Sequence, residues 1–542
     1  MARAQGPVLP PGARGDRGAG RQRHTNAQKG RTTSRPVRIG HLHARSAGAV
    51  VTEPVVATGL GRVRGRDVGG VAAFKGIPYA AAPQGPLRLR PPVPASAWDG
   101  VRDCGQFGCA PPQLAPAPGA PSAWRPGDGL DCLSLNVWSP DLGAAALPVM
   151  VWIHGGLWKH GAASMPQYDA ATLARCGVVV VTVNYRVGFE GFGHLPSVAD
   201  NRGLRDQIAA LEWVQSNIAA FGGDPTNVTV FGQSAGAACI ALLVGAPAAV
   251  GLFRRAIAQS IPAGCRTGIE AAVVTTTIAR ALGVAATWDG FAALTPEAIL
   301  AVQDTPLRDR AAGMSAFSPV IDGDLVTGPA WAAIATGRDV DLICGYTHEE
   351  YRGLGPPPPP DVDLAAVAQA IGLPSAGADA YRRAYPRAGD AEVFTTILSD
   401  ALVRIPTIRT AQAHAAAGGR TWLYDLAWSS PGLGAGHGLD IPLIFGTATS
   451  GYASRFLGTP PPAAFEPLSR QIRHAWTGFA ATADPGWPQF DLTHHRTRIW
   501  DDPPLDAEDP LADSRRIWRT TRPPDHPPPS RTPSRRRCRS RR

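Results

Sequence analysis

The stretch NVTVFGQSAGAACIALLVGAP, residues 227–247, decides the reading of this chain. NVTVFGQ (227–233) is a β-branched, apolar run that predicts a buried strand. SAGAACIALLVGAP (234–247) reads as a helix packed through small residues. Between them lies GQSAG, Gly232 to Gly236, which fits the G-x-S-x-G nucleophile elbow. Alone the pentapeptide is a weak signal in a chain with 61 glycines. The flanking strand and helix change its weight, because the elbow requires a strand–turn–helix. Glycines at 232 and 236 let strand and helix approach where a Cβ would collide. Ser234 would then sit on a strained turn with Oγ exposed, at the positive end of the following helix.

Working outward, LPVMVWIHGG (147–156) and GVVVVTVNYR (177–186) read as strands covered on both faces. LRDQIAALEWVQSNIAAF (204–221) carries apolar residues at helical spacing, and VDLICGY (340–346) and RTWLYDL (420–426) read as further strands. GRVRG and VAAFKGIPYA, near the start, read as two short strands joined by a turn. Alternating strands and helices imply an α/β fold, a large mostly parallel central sheet with helices on both faces. Ligand sites in such sheets lie beyond the carboxyl ends of the strands. GPPPPPDVD (355–363) reads as a stiff surface linker that does not separate two domains.

A nucleophilic serine needs a base and an orienting acid, and on this fold they follow in the order Ser, Asp/Glu, His. ICGYTHEEYRG places Glu349 and Glu350 just after a strand; GLGAGHGLDIPLIFG places His437 in a glycine loop. The oxyanion needs backbone N–H donors. Ala235 follows the nucleophile, and HGGLWKHGA (154–162) offers Gly156 and Leu157. His154 has a structural place in that motif rather than the role of a base.

Composition bounds the rest. Residues 1–47 hold ten Lys/Arg and one acid, and residues 519–542 hold nine Arg and one acid. Removing these charges of +9 and +8 from the chain's +10 leaves the body at −7. The basicity is therefore confined to two Pro/Arg-rich tails, expected to be disordered, around a domain at 48–518. A nucleic-acid role is not required to explain it. No run of 18 apolar residues spans a membrane, and no apolar h-region opens the chain at Met1, so a cytoplasmic location is expected, with secretion as the alternative if the true start lies elsewhere. Eight cysteines without CxxC spacing exclude a disulfide scaffold, although Cys109 and Cys132 could close a surface loop.

The chain resembles the type B carboxylesterase family, which includes cholinesterases and para-nitrobenzyl esterases. The resemblance spans roughly residues 52–500 and rests on FKGIPYA, LRLRPPVPASAWDGVRD, DCLSLNVWSP, VWIHGG, VNYRVGFEGF, NRGLRDQIAALEWVQSNIAAFGGDPTNVTVFGQSAG, SPVIDGDLV and TGFAATADPGWPQF. It implies an α/β-hydrolase fold and a serine carboxylesterase working through an acyl-enzyme on a small ester, with no metal or cofactor. By the resemblance Ser234 is nucleophile, Glu350 the acid and His437 the base. Gly156, Leu157 and Ala235 match the oxyanion hole, and Ser260 and Asp440 resemble residues supporting the acid and the histidine. The chain departs from the family at Gln233 (usually Glu), Leu157 (usually Gly), Tyr351 (usually Gly) and Pro111, where the family has a cysteine. Carbamate or amide hydrolysis on the same triad, and a non-catalytic cholinesterase-like binding module, are the alternatives.

Overall fold

A computed structural model describes residues 53–116, 120–304, 315–337, 339–374 and 376–519. Of the tails expected at 1–47 and 519–542, all but Arg519 lie outside the described residues. The molecule is built on an 11-stranded sheet. In chain order its strands are β1 (Arg66–Asp67), β2 (Ala72–Pro78), β3 (Ser134–Ser139), β4 (Leu147–Ile153), β5 (Val179–Val183), β6 (Gly223–Gln233), β7 (Arg255–Gln259), β8 (Asp341–Thr347), β9 (Thr421–Leu426), β10 (Arg496–Trp500) and β11 (Leu505–Glu508). Their spatial order is β11-β10-β9-β8-β7-β6-β4-β5-β3-β2-β1. The seven strands from β10 to β5 pair in parallel, and antiparallel strands finish both edges.

The apolar runs are continuous because both faces are covered, and side chains alternate between two cores. Val149, Val151 and Ile153 face one core; Met150 and Trp152 face the other. Helices α1 (Arg202–Asn217) and α2 (Ala235–Gly245) contribute to the first core. Helices α3 (Asp440–Phe445) and α4 (Phe465–Thr482) contribute to the second. Helix α2 is apolar all round and buried from Ala235 to Val244, which is why small residues dominate it. No helix among the described residues is long and apolar enough to cross a membrane.

Both short strands read near the start form, but in different sheets rather than as a hairpin. Gly61–Arg64 pairs with Val55–Thr58 and Val101–Asp103 in a separate three-stranded sheet, while β2 pairs with β1 and β3. Gly65 marks the crossing, since a Cβ there would lie 2.5 Å from the Ala73 carbonyl oxygen. Cys109 and Cys132 are both free thiols: Cys109 Sγ donates to the Asp128 carbonyl at 3.0 Å, and Cys132 is buried.

Candidate active site

The elbow forms where β6 meets α2. Ser234 sits at φ 57°, ψ −124°, a conformation L-residues rarely adopt and one that costs on the order of 1–3 kcal/mol. Its N–H donates to the Gln259 carbonyl at 2.8 Å, and its carbonyl accepts from Ala238 N–H at 3.0 Å. The strain is thus held between β7 and the first turn of α2. The flanking glycines are sterically required. A Cβ at Gly232 would lie 2.5 Å from the Ile153 carbonyl oxygen, and one at Gly236 would lie 2.1 Å from the same atom. The elbow is wedged against the end of β4, so neither position admits a side chain.

That wedge also sets the glycine loop. A Cβ on Gly155 would come within 3.1 Å of Ser234 Cβ, so the loop runs directly beside the serine. Gly156 has φ 123°, and Leu157 and Trp158 both have φ 56°. Leu157, where the family has glycine, therefore keeps the left-handed backbone that glycine favours and bears its strain. Among the described residues no backbone carbonyl takes the N–H of Gly156 or Leu157. Ala235, as first residue of α2, leaves its N–H unpaired within the helix. His154 is fully buried, stacked on Tyr185 with ring centroids 4.3 Å apart, and its Nδ1 meets the Gly155 carbonyl at 2.9 Å. Burial lowers its pKa to about 4, which keeps it neutral and structural.

Glu350 and His437 are brought together. Glu350 is completely buried; its Oε2 meets His437 Nδ1 in a short contact, and its Oε1 accepts from Thr347 N–H at 2.8 Å. Glu349 goes elsewhere. Its Oε1 pairs with Arg352 Nε at 2.8 Å and its Oε2 accepts from Ala435 N–H at 3.1 Å. A bridge between Glu349 and Gly436 clamps the acid loop to the histidine loop. The approach is close at Gly353 as well, where a Cβ would lie 2.7 Å from His437 Cβ. Tyr351 begins a short helical turn and packs edge-on against Phe394, centroids 5.3 Å apart, so a glycine is not needed there.

Other expected contacts are absent. His437 Nε2 does not meet Ser234 Oγ; it lies 3.0 Å from Gln233 Nε2. Asp440 accepts from Gln259 Nε2 at 2.6 Å rather than from His437. Ser260 is buried at φ 59° and its Oγ has no partner among the described residues. Gln259 and Gly353 went unread in the sequence. Gln259 sits beside the recognised Ser260, and Gly353 is the last residue of ICGYTHEEYRG.

Burial raises the Asp440 pKa from 3.8 to about 6, with the hydrogen bond from Gln259 opposing the rise and the nearby Glu350 charge adding to it. A carboxyl raised on folding favours the folded state while protonated, and that contribution is lost as pH climbs through about 6. Asp440→Asn cannot ionise but still accepts from Gln259. It should therefore lose less Tm between pH 5 and pH 8 than the unsubstituted protein. An equal or larger loss, measured by calorimetry at both pH values, would show that Asp440 does not ionise in this window.

Comparisons with known proteins bear on the family and the fold. The family model for the carboxylesterase family matches residues 52–359. The chain is 35% identical over 493 residues to the para-nitrobenzyl esterase of Bacillus subtilis, covering 86% of this chain and 98% of that protein. It is 34% identical to the phenmedipham hydrolase of Pseudarthrobacter oxydans, covering 85% and 94% of the two chains. A solved PNB esterase superposes with a TM-score of 0.77 at 33% identity, covering 86% of this chain and 99% of the other. The Geobacillus stearothermophilus carboxylesterase EST55 gives 0.76, with 86% and 99% coverage. The sheet, the elbow and these matches over nearly the whole length of each relative lead to one conclusion: the chain has the α/β-hydrolase fold and belongs to the carboxylesterase family, the carboxylic-ester hydrolases.

Proposed function

We propose that the chain hydrolyses small carboxylic esters by two-step acyl transfer through Ser234, His437 and Glu350. The observation that carries this reading is the buried Glu350 carboxylate on His437 Nδ1, in the loops beside the strained serine. His437 takes the Ser234 proton as Oγ attacks the ester carbonyl, then returns it to the departing alcohol. Gly156, Leu157 and Ala235 N–H groups stabilise the oxyanion, each such donor being worth about 10²–10³ in rate. Glu350 holds the tautomer that leaves the Nε2 lone pair facing the substrate side. Water then enters as the second nucleophile, activated by the same imidazole, and releases the acid. Every step uses this chain's own side chains and amides. A non-catalytic binding module would not need a buried acid held on the histidine.

The test is a burst experiment with p-nitrophenyl acetate. One equivalent of p-nitrophenol should appear faster than steady turnover, and mass spectrometry should place the acetyl group on the peptide containing Ser234. Acetylation elsewhere, with Ser234 unmodified, would remove the serine from the mechanism.

A further inference from the structure

Gln233, the last residue of β6, is the side chain that meets the base. Its carboxamide Nε2 lies 3.0 Å from His437 Nε2, while His437 Nδ1 is engaged by Glu350. Gln233 is 4% exposed. Its Oε1 points toward Gly155, where an added Cβ would lie 3.1 Å away. An imidazole that donates Nδ1–H to a carboxylate presents a lone pair on Nε2, and the amide NH₂ is the matching donor. The same lone pair must accept the Ser234 proton in catalysis, and it holds one strong donor at a time.

We propose that Gln233 is a positioning residue that caps the Nε2 lone pair of His437 in the free enzyme and yields it to Ser234 when an ester fills the site. The proposal rests on the assignment of Ser234 and His437 above. The exchange replaces one hydrogen bond by another, amide N–H for serine O–H, and no covalent bond changes until attack. Once the proton has moved to Nε2, that nitrogen becomes a donor, and the carboxamide can accept from it after turning over to present its oxygen in place of its NH₂. Gln233 thus accompanies the histidine in both charge states and adds no charge.

The surroundings make that neutrality consequential. Glu350 faces the ring from the loop after β8, and Asp440 lies three residues on in α3. Tyr452 donates its O–H to the Gly438 carbonyl at 3.3 Å, and the Glu349–Arg352 ion pair flanks the histidine loop. A carboxylate at 233 would be a further negative charge on the ring. It could only accept, so it would favour the imidazolium and could not cap the neutral base.

Two full-length variants test this. Gln233→Met keeps the length of the side chain and removes the donor; Gln233→Glu replaces the amide by a carboxylate. The probe for the free enzyme is phenylmethanesulfonyl fluoride without ester: serine oxygen attacks sulfur, fluoride leaves, and the serine proton passes to the histidine. Gln233→Met should be inactivated faster than the unsubstituted enzyme, by roughly two- to tenfold for one hydrogen bond removed. Gln233→Glu should move the acidic limb of the kcat/KM profile to higher pH by about one unit or more. A packing role alone would lower Tm and change neither readout. An unchanged or slower rate in Gln233→Met, or an unmoved profile in Gln233→Glu, overturns the cap. Ser234→Ala run in parallel should stay unlabelled. If it is sulfonylated at the unsubstituted rate, the serine assignment falls and takes the cap with it.

Discussion

Ser234→Ala should lose ester hydrolysis by about 10⁴–10⁶ in turnover while its Tm changes by no more than a few degrees. The loss follows from the proposed mechanism, in which no acyl-enzyme forms without Oγ and only the proposed oxyanion donors and substrate binding remain. The residual rate should therefore be above that of water, because Gly156, Leu157 and Ala235 are still in place. The unchanged stability follows from the structure. The hydrogen bonds that fix residue 234 run through its backbone, to the Gln259 carbonyl and from Ala238 N–H. Alanine retains both. It also meets the same φ of 57° with a Cβ, so it neither relieves nor adds strain of the kind serine already carries. Turnover of p-nitrophenyl acetate and a melting curve on one preparation check both halves. Wild-type turnover would remove Ser234 from the mechanism, and a collapsed Tm would mean that the lost activity reports unfolding.

The elbow was legible in the sequence because its constraints are local. Gly232 and Gly236 lie two residues either side of the serine, and both press on one carbonyl, that of Ile153. The strands with continuous β-branched runs were legible for the same reason: burial on both faces leaves no alternation to mislead. The edge strand β11, LDAE, and its neighbour β10, RTRIW, are charged and short, and burial patterning says nothing of them. The site itself divides in the same way. Candidate acids could be narrowed to two neighbours, but the cap on His437 joins residues 204 positions apart. Nothing near Gln233 in the chain signals it. The family resemblance points to Asp440 as a support for the histidine, yet its partner is Gln259, across 181 positions. Residue type and spacing expose groups that act through the backbone near them. They do not expose which side chain wins a contact when several loops converge.

The choice between adjacent acids tests that boundary. Glu350→Gln should cost about 10⁴ in turnover, as loss of the orienting acid does in serine hydrolases. An amide in place of the carboxylate can offer its NH₂ to Nδ1 and so favour the tautomer with the proton on Nε2, where it blocks attack. The buried site sharpens the effect, because Glu350 is shielded from bulk solvent that would otherwise supply a substitute acceptor. Glu349→Gln should cost far less. Its carboxylate is 26% exposed and spends its oxygens on Arg352 and on Ala435 N–H. Glutamine retains the acceptor for Ala435, and the backbone bond from Glu349 N–H to the Ala435 carbonyl, 2.8 Å, is untouched. What Glu349→Gln does weaken is the clamp between the two loops, so its effect should appear as a modest rise in KM and a small fall in Tm. Glu350→Gln should instead lower kcat with Tm nearly preserved. Both variants, assayed on one ester at one pH, give opposite patterns if the clamp and the acid are as the geometry has them. If Glu349→Gln is the crippled enzyme, the loop carries its acid one residue earlier, and the contact between Glu350 and His437 does not operate in turnover.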